Sequence, residues 1–253
     1  MAEIKELAAL LAESKDTLVL TGAGISTESG IPDFRSPGSG LWARLDPLEI
    51  FSRAVLAREP DKFWRQGEPI FREMARARPN QGHQALARLE EMGLIGGVVT
   101  QNIDGLHQKA GSRVVLEVHG HLRTALCPGC GAREEMEAVL DRAAAGKTPC
   151  CACGTVLRPE VVLFGDPLPE AFQTAWRWAR VCDLLLVVGS SLEVAPVCWL
   201  VPEAKKVAIV NLGETQGDDL AQVLVRGKAG EILSGLAKWG RFSRFQNRGS
   251  QDR

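Results

Sequence analysis

Two hydrophobic rhythms alternate along this chain. Mainly apolar or β-branched runs of strand length occur at residues 17–21, 97–100, 114–118, 184–188, 207–210 and 222–225, with Glu117 and Gln222 among the few polar positions, and such runs read as strands buried on both faces. Between them apolar residues recur at helical spacing: Ile4, Leu7, Ala8 and Leu11; Leu86 and Leu89, with Gly93 as a stop; Phe172, Ala175, Trp176 and Ala179; Ala229, Ile232, Leu233 and Leu236. Strands without a polar face need cover on both sides, and alternation with amphipathic helices supplies it. The expected fold is therefore α/β, a Rossmann-like doubly wound parallel sheet. Two stretches break the alternation. Residues 36–82 hold no clear strand and read as a helical module, and residues 122–160 hold a cluster of cysteines and read as a small inserted module. The large part is then expected at 1–35, 83–121 and 161–239, with 240–253 as a flexible tail.

The chain's 253 residues suit one large domain carrying an insertion. No run approaches the ~18 consecutive apolar residues of a membrane span. The amphipathic start has no apolar signal core, so a cytoplasmic location is expected and a membrane is not. With 30 basic and 31 acidic residues, a general nucleic-acid binder is disfavoured; the four arginines after Gly240 read as a solvated terminus. Five of the seven cysteines fall between Cys127 and Cys153. In a chain without secretory features that crowding points to metal and not to disulfides, while Cys182 and Cys198, beside apolar runs, read as core thiols.

Seven segments carry candidate chemistry. Thr21-Gly22-Ala23-Gly24-Ile25-Ser26 follows the first strand, where glycines allow a sharp turn close to a pyrophosphate and a following helix N-terminus would add N–H donors. Thr27 replaces the third glycine of the common fingerprint, so alone the segment is also a plain tight turn. It continues through Gly30-Ile31-Pro32-Asp33-Phe34-Arg35, which reads as a structured lid. Gln101, Asn102 and Asp104 leave the end of a dry strand together, costly unless they meet a ligand or one another. His119 stands at another strand end beside Gly120, where a neutral imidazole is a reasonable general base. Cys127-x2-Cys130 and Cys150-x2-Cys153, nineteen residues apart, have the spacing of a closed four-thiolate zinc site. Cys151-Ala152-Cys153 competes with the second pair; the two-residue spacing favours Cys150 and leaves Cys151 spare. Finally, the segment from Leu157 to Asp166, with Val161, Val162, Phe164 and Gly165, reads as an extended edge to which a peptide could add as a strand, although by itself it is also a plain buried strand. Gly189-Ser190-Ser191 and Asn211-Leu212-Gly213 put small or amide residues at two further strand ends.

In order and spacing these motifs (GAGIS, GIPDFR, TQNID, VHG, the paired cysteines, LRPEVVLFG, GSS and the late Asn) resemble the sirtuin family over nearly the whole chain. The resemblance implies a Rossmann-like domain with an inserted zinc-ribbon small domain and a helical module, one structural zinc, and NAD as a consumed co-substrate. It implies NAD contacts at Gly22, Ala23, Gly24, Ser26, Asp33, Phe34, Arg35, Trp42, Gln101, Asn102, Ile103, Asp104, Gly189, Ser190, Ser191, Asn211, Leu212, Gly213 and Ala229. An acyl-lysine protein or peptide would enter the same cleft from the other side. The acyl oxygen would attack the ribose carbon as nicotinamide leaves, with His119 taking the proton of a ribose hydroxyl and Asn102 and Asp104 assisting. Products would be lysine, nicotinamide and O-acyl-ADP-ribose. His121 departs from the family's commoner Asn or Ser. The Tyr and Arg three apart that mark members acting on succinyl or malonyl groups are missing: the chain has no Tyr, and Phe63-Trp64-Arg65 lacks the spacing. Neutral acyl groups are therefore expected. Mono-ADP-ribosyl transfer and a non-catalytic NAD-sensing module are the rival readings.

Overall fold

The computed structural model of the protein describes residues 2–33 and 46–248. In chain order its elements begin with α1 (Ala2–Glu13), β1 (Thr17–Thr21), α2 (Pro47–Ile50), α3 (Arg53–Arg58), α4 (Pro60–Arg76), α5 (Gln81–Glu91), β2 (Gly97–Thr100), α6 (Leu106–Ala110) and β3 (Val115–Glu117). There follow β4 (Gly120–Leu126), β5 (Arg133–Glu135), α7 (Met136–Ala144), β6 (Arg158–Val161), α8 (Glu170–Val181), β7 (Leu184–Val188), β8 (Val207–Asn211), β9 (Val223–Arg226) and α9 (Ala229–Arg248).

The main sheet runs β3-β2-β1-β7-β8-β9 and every pair is parallel. Counted along the chain, these strands lie in the order third, second, first, fourth, fifth, sixth, the doubly wound arrangement, with its switch point between β1 and β7. Alternate residues of each strand serve different layers. Val19, Val98, Leu186 and Val210 pack with Leu7 and Leu11 of α1, Leu86 and Leu89 of α5, and Leu233 of α9. Leu18, Leu20, Val99, Val187 and Ile209 face the opposite layer with Phe172, Ala175 and Ala179 of α8. At ~1.5–3 kcal/mol for each fully buried large aliphatic side chain, these two interfaces are the main source of stability of the large domain. The start of α5 is fixed locally. Asn80 Oδ1 accepts from the Gly82 N–H at 2.8 Å, and His83 Nδ1 reaches back to the Asn80 N–H at 3.4 Å, a capping box. Its end is set by Gly93, at φ +66°, whose N–H bonds the Glu90 carbonyl.

The second sheet, β5-β4-β6, is antiparallel. The described part of 36–82, residues 46–82, and residues 122–160, read as separate modules from the sequence, share one core. Phe63, Trp64, Phe71 and Met74 of α4 pack with Val139 and Leu140 of α7 and with Leu157 and Leu163. Trp64 Nε1 donates to the Leu157 carbonyl at 3.2 Å, and Arg72 reaches Asp141 of α7 at 3.0 Å. Two expectations are corrected. No α-helix follows the Gly22 turn; the chain makes short 3-10 turns at Ala23–Ile25 and Thr27–Ser29. Helix α9 runs to Arg248, well into the stretch read as a tail; nothing after Gly240 is a proline, and one Gly in a helix costs only about 1 kcal/mol. No helix among the described residues is long and apolar enough to cross a membrane.

Candidate active site and metal centre

The switch point is built by two interlocked turns. The Gly22 N–H donates to the Val188 carbonyl at 3.2 Å and the Gly24 N–H to the Gly189 carbonyl at 2.8 Å. A Cβ on Gly22 would lie 2.8 Å from the Gly189 oxygen, one on Gly24 2.8 Å from Gly189 Cα, and one on Gly189, at φ +61°, 2.4 Å from the Ile25 nitrogen. The glycines are thus required first by each other.

Thr100 at the end of β2 opens the polar constellation. Its Oγ1 accepts from the Asn102 N–H at 3.1 Å, turning the chain so that Asn102 lies under the glycine turn. Both Asn102 amide hydrogens are committed, one to the Gly22 carbonyl at 3.0 Å and one to Ser26 Oγ at 3.1 Å. Its oxygen is therefore what it can offer to a hydroxyl or a water. Ser26 donates to Asp104 Oδ2 at 2.7 Å, and Asp104 Oδ1 accepts from the Leu106 N–H at 2.9 Å. Burial pushes the Asp104 carboxyl above its ordinary value, opposed by these two bonds. Because Ser26 gives its own proton to Asp104, its oxygen faces His83 Nε2, 3.5 Å away, as an acceptor. His83 and His107 lie edge to face at 4.9 Å, and His107 Nε2 meets Thr21 Oγ1 at 3.0 Å. Both imidazoles are buried, which holds His83 at about 4 and His107 at about 3. Gln101 Nε2 donates to Ser190 Oγ at 3.0 Å, tying β2 to the Gly189 turn.

His119 lies in the two-residue turn between β3 and β4. Its Nδ1 lies 3.0 Å from the Gln101 carbonyl. A carbonyl can only accept, so Nδ1 carries the proton and Nε2 is left with its lone pair. Burial lowers the imidazole below its ordinary value, only partly countered by the bond to Gln101. The ring is neutral at pH 7 and is a base at Nε2.

Gly22, Ala23, Gly24, Ser26, Gln101, Asn102, Asp104, His119, Gly189 and Ser190 thus gather at one sheet edge. Asn211 ends β8, and the Gly189 N–H bonds the Val210 carbonyl beside it. Leu212 is exposed, and Asn211 Nδ2 donates to the Gly213 carbonyl at 2.9 Å. Ala229 begins α9, whose Gly230 N–H donates to Glu28 of the second 3-10 turn at 2.9 Å. Ser191 bonds Glu193, and half-buried Ile103 packs on the small-domain core. Asp33 is described; Phe34, Arg35 and Trp42 lie outside the described residues. Sequence reasoning did not single out Asn80 or His83, although an Asn three residues before a His at a helix start is a legible capping signal.

Across the cleft, the Val162 N–H donates to the carbonyl of His119 at 2.9 Å, and Phe164 exchanges backbone bonds with Phe51 and Arg53. Val161 is buried, Phe164 exposed, and Gly165 turns at φ +91°. Among the described residues no hydrogen bond reaches the Val162 carbonyl or the Gly165 N–H.

The sulfurs of Cys127, Cys130, Cys151 and Cys153 all lie within 4.8 Å of one another; Cys127 to Cys153 is 3.4 Å and Cys130 to Cys151 is 3.6 Å. Tetrahedral zinc at ~2.3 Å from each thiolate separates sulfurs by about 3.8 Å, so the set fits that ion with no ligand position left over. The fourth sulfur is Cys151, a correction to the expected Cys150. Each cysteine pair is followed by a glycine with positive φ, Gly131 at +75° and Gly154 at +86°. Each knuckle closes the same way: the Gly131 N–H bonds the Cys127 carbonyl, and the Gly154 N–H bonds the Cys151 carbonyl. Register is counted from that glycine, so the second knuckle is one residue shorter. Cys150, in a bridge with Val156, is exposed.

Fold and site define a dinucleotide-binding α/β protein with a thiolate zinc ribbon. The Sir2 family profile matches residues 22–196. The chain is 49% identical over 234 residues to NAD-dependent protein deacetylase 2 of Caldanaerobacter subterraneus subsp. tengcongensis, covering 92% of this chain and 94% of that protein. It is 44% identical over 238 residues to NAD-dependent protein deacylase 2 of Pyrobaculum aerophilum, covering 92% and 94%. A Sir2 structure holding a deacetylated p53 peptide and 3′-O-acetyl-ADP-ribose superposes with a TM-score of 0.89 at 39% identity, over 94% of this chain and 98% of that one. A Sir2 structure with a propionylated peptide gives 0.84 at 39% identity over the same shares. The chain belongs to the Sir2 family.

Proposed function

We propose that this protein removes neutral acyl groups from lysine side chains in an NAD-dependent reaction, releasing nicotinamide and O-acyl-ADP-ribose. The observation that carries the reading is the fixed tautomer of His119: a buried imidazole with its Nδ1 proton pinned by Gln101 and its Nε2 lone pair left free. NAD, when bound, supplies an electrophilic ribose carbon with nicotinamide as its leaving group. The glycine turns at 22–24 and 189–190 would hold its phosphates, and Asn211 to Gly213 and Ala229 its adenosine end. Asn102 presents its amide oxygen, and Asp104, kept in place by Ser26 and the Leu106 N–H, orients the nicotinamide side. His119 Nε2 takes the proton of a ribose hydroxyl and returns it to solvent after acyl transfer. The open Val162 carbonyl and Gly165 N–H receive the substrate backbone as an added strand. Phe63 and Trp64 are buried in the small-domain core while Arg65 is exposed, so this segment gives an acidic acyl group no buried cation.

The test is mass spectrometry of acetyl-lysine and succinyl-lysine peptides incubated with the protein, with and without NAD, alongside His119→Ala. NAD-dependent loss of acetyl with equimolar nicotinamide, abolished in the variant, is expected, and slower turnover of the succinyl peptide. Label from NAD retained on protein without deacylation would replace this reading by ADP-ribosyl transfer.

A further inference from the structure

Arg158 and Asp166 form an ion pair that neither the paired cysteines nor the nucleotide site accounts for. Arg158 Nη2 donates to Asp166 Oδ2 at 2.6 Å and also to the Val161 carbonyl at 3.1 Å. The Asp166 side chain is 7% exposed. Its Oδ2 also accepts from the Leu163 N–H at 3.0 Å, and the Asp166 N–H returns to the Leu163 carbonyl at 2.9 Å, closing a turn around Gly165. One guanidinium therefore grips both ends of segment 161–166. Between those ends lie the Val162 carbonyl and the Gly165 N–H, the open backbone groups of the edge. Burial acts against ionisation of Asp166, but the Arg158 guanidinium and the Leu163 N–H hold the carboxyl below its ordinary value, so the pair is intact at neutral pH.

We infer that Asp166 and Arg158 are positioning residues for the acyl-lysine peptide: their ion pair pre-forms the edge on which the peptide backbone pairs. This rests on the deacylase reading above. A pre-formed edge spares the peptide the entropy of ordering it, so loss of the pair is expected in peptide affinity and not in chemistry. The His119 imidazole is fixed by the Gln101 carbonyl, and the 161–166 segment touches His119 only through the backbone bond from the Val162 N–H to its carbonyl.

The test compares wild type, Asp166→Asn, Arg158→Gln and the double variant, with Asp166→Glu as a milder change that keeps the charge. KM for an acetyl-lysine peptide is expected to rise about tenfold or more in each single variant, as for loss of a charge-assisted bond. kcat should stay within about twofold, NAD affinity and zinc content should be unchanged, and the double variant should lose no more than the singles. Asp166→Glu should fall between them and wild type. Peptide binding by fluorescence anisotropy is read in parallel, so the clamp is judged even where turnover is lost. Unchanged peptide affinity, a fall in kcat alone, or additive losses in the double variant would overturn the inference. Wild type that binds the peptide in the presence of NAD without turning it over overturns the deacylase reading and leaves the clamp to the binding data.

Discussion

The backbone carbonyl of Gln101 decides which nitrogen of His119 is a base, and burial decides over what pH range. A lowered pKa means the neutral ring persists below the ordinary imidazole range near 6.5. As pH falls, kcat/KM should stay level through that value and decline only below it, the sign expected for a base that must be unprotonated. A limb at or above about 7 would remove His119 from the role. His119→Ala should lower kcat by at least ~100-fold, the low end for a general base, with NAD binding by calorimetry retained. The cysteines give a second prediction at this scale. Cys150→Ser should keep one zinc per chain through a chelator challenge, while Cys151→Ser should lose it, measured by metal analysis after dialysis. The opposite pattern would mean that the second knuckle counts from Cys150.

Among the elements, the two interlocked turns explain why the same substitution has opposite signs at two glycines. Gly24→Ala would put a Cβ 2.8 Å from the backbone of Gly189, which cannot give without opening the switch point. A loss of ~1–3 kcal/mol, as for overpacking, is expected, with weakened NAD binding. Gly235 sits exposed in α9 with nothing within 4 Å of its would-be Cβ. There Gly235→Ala should stabilise by ~0.8–1 kcal/mol, and urea melts of the two variants check both signs. The central strands were legible because a strand buried on both faces has no charged position: 17–21, 97–100 and 184–188 coincide with β1, β2 and β7, and the other runs, which include the partly buried β3 and β9 with Glu117 and Arg226, agree within one residue at each end. β5, Arg-Glu-Glu, carries no apolar signal at all and exists only through its pairing with β4. At the site, Gln101, Asn102, Asp104 and His119 were legible as polar residues ending dry strands. Which of their atoms are free was not, because that depends on Ser26, His83 and the Gly22 carbonyl arriving from other elements. The choice of Cys151 over Cys150 likewise rests on the φ of Gly154, which spacing alone does not reveal.

For the molecule as a whole, the cleft joins two bodies stabilised by different means, and each should fail under its own agent. The large domain buries His83 and His107 neutral. Below about 6.5 the unfolded chain binds protons that the folded one refuses until about 4 and about 3, so stability falls as pH drops through that window. The small domain has a core shared by α4 and α7, yet two of its three strands hold few buried residues, and four thiolates close its far end. Much of its folding energy should then come from the metal. Removing zinc with a strong chelator at pH 7.5, where the histidines are silent, should raise hydrogen exchange across 120–163. Exchange should also rise in α4, which leans on Leu157 and Asp141, while β1, β2 and β7 stay protected. Because Val162 is bonded to the His119 carbonyl and Arg158 grips the 161–166 segment, peptide binding should be lost before NAD binding is. Uniform loss of protection in both sheets on chelation would show that the two bodies melt as one, and that the thiolates support the nucleotide fold as much as the ribbon.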